Sequence, residues 1–202
     1  MGYTTEFTGS FKLSRKLTKE EADYITAFSY SRRMKRDVKK LMEKYKGKGG
    51  LPQVHIIGDD VAGLISQIKD LGYHVTVKPD GIDRRTPEEI YGVDGEFFVG
   101  SASRMGEDND GTVIDHNRPP STQPGLWAQW IVGDEDDIIE WDGGEKFYYY
   151  DKWLKYYIEN FFKPWGIVMN GEVEWDGEDR GDIGKLVVTD NVLEVKKAHI
   201  SY

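Results

Sequence analysis

The stretch WDGGEKFYYYDKWLKYYIENFFKPWG, residues 141–166, limits what this chain can become. It holds 11 of the chain's 26 aromatic residues. Leaving so many rings in water is costly, so the core is expected to assemble around this segment. On a helix turning about 100° per residue, Phe147, Tyr150, Leu154, Tyr157, Ile158, Phe161 and Trp165 share one broad face and read as core. Tyr149, Trp153 and Tyr156 fall on the far side, beside the charged arc of Glu145, Lys152, Lys155, Glu159 and Lys163. A helix packed on a single sheet needs only the first set. The second set is a candidate binding surface, to be covered by residues 48–92, by the loop at 101–125, or by a partner. Pro164 and Gly166 end the helix.

The rest of the chain supplies strands for that helix. Tyr3, Thr5, Phe7, Gly9, Phe11 and Leu13 alternate with polar residues, the period of a half-buried strand. Thr18 and Glu21 form a capping box. After it, Tyr24, Ala27, Phe28, Ser31, Met34, Val38, Leu41, Met42 and Tyr45 recur at helical spacing, which predicts one long helix over 18–45. Residues 53–79 read as strand, helix, strand, an inserted subdomain within 48–92. Strands are further expected at 95–100, 126–132, 138–141, 167–175, 184–189 and 192–197, with Asp190-Asn191 as a tight hairpin turn. Residues 101–125 read as a long loop. The sum is a single α+β domain spanning 1–202. It has a mainly antiparallel sheet with two long helices on one face, ferredoxin-like, carrying the strand–helix–strand insert at 48–92.

The strings GYTTEFTGSF, SRRMKRD, PPSTQPGLWAQW, EWDGGEKFYYYDKWLKYYIENFFKPWG and NGEVEWDGED together resemble a family of hypothetical proteins of bacteria and their phages. The resemblance covers roughly residues 2–46 and 94–192 and leaves out the insert. It implies a cytoplasmic, phage-borne protein and carries over no catalytic residues.

Charge is unevenly distributed. The net charge is −9, yet Arg32, Arg33, Lys35, Arg36, Lys39, Lys40, Lys44, Lys46 and Lys48 cluster together. A basic helix at 32–48 is able to meet phosphates, but the overall negative field opposes a polyanion, which makes nucleic acid a poor expectation as partner. Acid dominates later, in Asp134, Glu135, Asp136 and Asp137 and again in Glu172, Glu174, Asp176, Glu178 and Asp179. The absence of cysteine rules out disulfides and thiolate metal sites, and no apolar run is long enough to span a membrane. No signal peptide is recognised at the N-terminus.

Two site readings follow. Asp108, Asp110, Asp115 and His116 combine carboxylates with an imidazole, the residue types of a hard-cation site or an acid–base pair in a small hydrolase. The same residues make turns for purely local reasons, and the calcium-loop spacing is incomplete. No cofactor or metal is assigned. The acidic turn residues Asp134, Asp136 and Asp137, with Tyr149, Trp153 and Tyr156, instead suit a non-enzymatic protein that binds a host macromolecule, a host protein above all, through an acidic and aromatic surface. Stacking of an aromatic small molecule or nucleotide on Trp127, Trp130 or Trp153 is a third reading.

Overall fold

Alternation in the first strand, and again in NGEVEWDG, builds a sheet with one apolar and one polar face. The computed structural model describes residues 3–30, 32–36, 40, 54–56, 75–77, 111, 113–119 and 123–198. In chain order the elements are β1 (Thr5–Leu13), α1 (Lys19–Ser29), β2 (Lys35–Arg36), β3 (Val54–Ile56), β4 (Val75–Val77) and β5 (Val113–Asp115). Then come β6 (Trp130–Val132), β7 (Ile138–Trp141), α2 (Tyr150–Tyr157), β8 (Met169–Gly177), β9 (Ile183–Thr189) and β10 (Val192–Lys197). The chain divides into two compact units, Met1–Ser29 with Ala128–Tyr202, and Tyr30–Trp127, which interrupts the first in sequence.

The first unit is an antiparallel sheet in the order β10-β9-β8-β1-β7-β6. β1 pairs with β8 along its whole length, from Thr5 opposite Gly177 to Leu13 opposite Met169. Two glycines make that ladder possible. A Cβ on Gly9 would lie 2.6 Å from the Glu172 carbonyl oxygen, and one on Gly171 would lie 2.7 Å from that of Ser10. Both have positive φ, a region a side chain would strain. The inner face buries Phe7, Phe11, Leu13, Val173, Trp175, Leu186 and Val188.

The aromatic segment is core, as its composition requires. Phe7 meets the rings of Trp130, Trp141, Phe147 and Tyr150 edge-on at 4.9–5.8 Å. From α1, Phe28 meets Trp153, Tyr157 and Phe161 edge-on and stacks on Tyr156. Helix α2 starts later than the pattern suggests, because Lys146 and Tyr149 adopt positive φ and turn the chain before Tyr150. It runs on into a π-helical turn, Ile158–Phe162, with hydrogen bonds five residues apart from Lys163 N–H to the Ile158 carbonyl (2.9 Å) and from Ile167 N–H to that of Phe162 (2.8 Å).

The single long helix over 18–45 does not form. The capping box does: Thr18 N–H donates to Glu21 Oε2 (2.9 Å) and Glu21 N–H donates to Thr18 Oγ1 (3.2 Å). The helix it opens ends at Ser29. The backbone beyond finds other partners, because Arg33 N–H donates to the Leu126 carbonyl and β2 pairs with β5. With 11 residues in α1 and 8 in α2, neither is the long helix expected. β5 likewise places a short strand inside what reads as loop at 101–125. In the interrupting unit β3 and β4 pair in parallel, with His55 opposite Thr76. The expected helix between them and the expected strand at 95–100 lie outside the described residues. The expected strand at 126–132 is shorter, beginning at Trp130.

The β9–β10 hairpin shows why glycine is dispensable at its turn. Asp190 and Asn191 both have positive φ, the pair of conformations a two-residue hairpin needs. Asn191 tolerates this and does more. Its Oδ1 accepts Met169 N–H (2.8 Å) and its Nδ2 donates to the Ile167 carbonyl (2.8 Å), clamping the turn to the start of β8. Turn statistics alone favour glycine here. We expect Asn191→Gly instead to lose about 1–2 kcal/mol in urea unfolding, because the buried Met169 amide is left without its acceptor.

Candidate interaction surface

Each residue singled out from the sequence has a definite place or lies outside the described residues. Asp108 and Asp110 are outside. Asp115 ends β5, where its Oδ1 accepts Asn117 N–H (2.9 Å) and its Oδ2 lies 3.6 Å from Arg118 Nε. That is an Asx turn, the local-backbone use of an aspartate. His116 is exposed, and its carbonyl accepts Arg32 Nε (2.9 Å). Arg32 Nη2 also donates to Asn117 Oδ1 (3.1 Å), and its guanidinium lies 5.7 Å from the centre of the Trp127 ring. Arg33 is buried. The basic run therefore does not begin as a solvated helix, since Arg32 and Arg33 are used within their own unit. Among the described residues no three acidic or histidine side chains gather where they could hold a metal ion.

The acidic turn between β6 and β7 is a structural tie. Asp137 pairs with Lys12, and Glu135 pairs with Lys16 at 2.9 Å. The backbone joins in: Leu13 N–H donates to the Asp137 carbonyl (2.8 Å) and Leu17 N–H to that of Asp136 (2.7 Å). Asp134 and Asp136 point outward as exposed side chains. Partial neutralisation by the chain's own lysines weakens this turn as a docking site for a basic partner.

The three aromatic candidates separate. Trp153 and Tyr156 are buried, and Phe28 of α1 supplies a ring for both. Helical phase alone misses this, because a second helix, as well as the sheet, packs on α2. Tyr149 is 52% exposed and sits at the start of α2 with the Lys152 ammonium 4.9 Å from its ring centre. Trp130 is fully buried as well, and its indole Nε1 donates to the Tyr150 carbonyl (2.9 Å). Trp130 and Trp153 thus offer no open face for stacking.

The polar face of the sheet gathers what the sequence left scattered. Along β8, Glu172, Glu174 and Asp176 are exposed on one side while Val173 and Trp175 are buried on the other. In register beside them on β1 stand Ser10, Thr8 and Glu6, and on β9 Val187, Lys185 and Ile183. Lys185 reaches both Glu174 (2.9 Å) and Glu172 (3.3 Å), so one cation serves two carboxylates. Those bonds, Glu174's first, raise its pKa above the ordinary lysine value. Four carboxylates with Lys185 among them form a negative strip on the most central part of the sheet. An acid at every second position of NGEVEWDG was the available signal, for period two puts them all on one face.

On the opposite face, where β8 ends, sits an aromatic lock. Tyr3 donates its hydroxyl proton to Asp182 Oδ2 (2.6 Å), Trp175 Nε1 donates to Asp182 Oδ1 (3.1 Å), and Asp179 N–H donates to the Tyr3 oxygen (3.2 Å). The hydrogen bond to Asp182 raises the Tyr3 pKa. Half-buried Tyr150 is pushed up to about 12, first by burial and then by the Asp182 and Asp151 charges and Tyr3. No family model, curated protein or solved structure matches this chain.

The Tyr150 environment yields a pH prediction. Its phenol keeps its proton more firmly folded than unfolded, so its contribution is complete below the ordinary value of 10.0 and falls as pH rises towards about 12. Absorbance titration is expected to show a late-ionising tyrosine that Tyr150→Phe removes. Unfolding stability is expected to decline less steeply across that range in the variant.

Proposed function

We propose that this protein is a non-enzymatic interaction factor, of the kind a phage carries, that binds a basic segment of a host protein through the polar face of its sheet. The single observation behind this is the row Glu172, Glu174 and Asp176, joined by Glu6, on an exposed sheet surface. A sheet face is a stiff array. Its backbone is already ordered, so binding costs only the rotamer freedom of the side chains, and like charges held together attract a counter-charged chain more strongly than scattered ones do. The order β1, α1, β6, β7, α2, β8, with sheet neighbours β8-β1-β7-β6, supports a ferredoxin-like core to which β9 and β10 are added. That extension places β8 centrally, with β1 on one side and β9 on the other.

Fluorescence anisotropy with labelled lysine- and arginine-rich peptides, beside acidic and neutral controls, tests the reading. The basic peptides are expected to bind, and raising salt from about 0.05 to about 0.3 M is expected to weaken binding severalfold. The triple variant E172Q/E174Q/D176N is expected to lose the interaction, whereas Lys185→Ala is expected to tighten it. Binding that ignores salt and survives the triple variant would sink the proposal. Capture from host lysate on wild-type protein, compared with the same variant, identifies the partner.

A further inference from the structure

We propose that β10 pairs antiparallel with β10 of a second copy of this chain, with Val195 on the two-fold axis, joining two sheets into one. The inference is independent of the acidic strip. Among the described residues β10 is the last strand on its side of the sheet. Its Val192 and Val195 are 63% and 45% exposed. The opposite edge is a poorer candidate, because β6 spans only Trp130–Val132 and its Trp130 carbonyl already accepts Tyr157 OH (2.9 Å) and lies 2.7 Å from Ser29 Oγ.

Hydrogen-bond parity decides which residues of β10 face outward. Ala198 N–H donates to the Ile183 carbonyl (2.8 Å), continuing the register in which Val192 opposes Thr189. Antiparallel bonding alternates, so residues 192, 194, 196 and 198 turn their amides and carbonyls towards β9. Leu193, Val195 and Lys197 turn theirs to the open edge. A two-fold strand pair is therefore able to centre on Val195, whose own N–H and C=O meet those of its copy, while Leu193 and Lys197 exchange bonds with each other.

Charge selects this register over its neighbours. Centring on Glu194 sets glutamate against glutamate, and centring on Lys196 or Lys197 sets lysine against lysine. Like charges directly opposed across strands are destabilising. Centring on Val195 sets valine against valine on one face and Glu194 against Lys196 of the copy, in both directions, on the other. Within one chain Lys196 Nζ already lies 3.1 Å from Glu194 Oε2, so the pairing closes a square of alternating charge. A strand-to-strand interface falls at the small end of specific interfaces, below about 1,200 Å², the class of weak and transient contacts.

Sedimentation of the full chain, from about 5 to about 200 µM, tests this, with dimer expected at the upper end. E194K alone and K196E alone each convert both attractive cross-pairs into repulsive ones and are expected to weaken dimerisation about tenfold or more. An equimolar mixture of the two variants restores attraction in both cross-pairs and is expected to dimerise again. These side chains are exposed, and circular dichroism is expected to report an unchanged fold. A wild-type chain that remains monomeric at about 200 µM overturns the proposal. So does a dimer that the single reversals leave intact, or a mixture that fails to recover.

Discussion

The pairing of β1 with β8 carries the rest of the structure. It joins residues near opposite ends of the chain, Thr5 with Gly177 and Leu13 with Met169, and so closes a loop that includes nearly every other element. Closing so long a loop costs entropy that must be recovered elsewhere. The recovery comes on the inner face, where Phe7 and Phe11 from β1 and Val173 and Trp175 from β8 are buried. Gly9 and Gly171 let the two backbones approach closely enough for the ladder to run unbroken. β7 and β6 then extend the sheet from β1, and β9 and β10 extend it from β8.

Because the inner face is so aromatic, the polar groups within it are concentrated at a few nodes. Tyr157 and Ser29 converge on the Trp130 carbonyl, tying α2 and α1 to the edge strand β6. Ser29 also lies 2.8 Å from the Ile25 carbonyl, so its hydroxyl sits where α1 ends and the sheet begins. On the polar side the protein treats its acid groups in two ways. The β6–β7 turn is held down by Lys12 and Lys16, while Glu172 and Glu174 share Lys185. Surface pairs of this kind contribute little stability. Their consequence is the charge they leave unpaired, which along β8 and its neighbour Glu6 is four carboxylates against one lysine.

Legibility in the sequence followed the locality of the cause. The capping box at Thr18 and Glu21, the strand Val192–Lys197 and the Asp190-Asn191 turn depend on neighbours along the chain, and the pattern shows them. The stripe from Tyr24 to Tyr45 failed as a guide because Arg33 N–H finds the Leu126 carbonyl, a residue far away in sequence. Helical phase alone leaves Trp153 and Tyr156 needing cover from an insert, a loop or a partner, because it describes one packed face and α2 has two. Asp115 and His116 drew notice through their residue types, but a carboxylate that bonds the amide two residues on makes a turn.

By itself the sequence determined that an aromatic core would form around residues 141–166 and that a mainly antiparallel sheet would accompany it. Hydrophobic burial and strand periodicity are properties of composition and order, and they hold whatever the partner. Only the tertiary structure decided that Glu6 stands beside Asp176, that one lysine serves two glutamates, and that β10 is the last strand on its side among the described residues. Those outcomes depend on strand order and register, which arise from contacts between distant residues. The surfaces available for binding are therefore set by which strands met, and no single stretch of the chain contains that information.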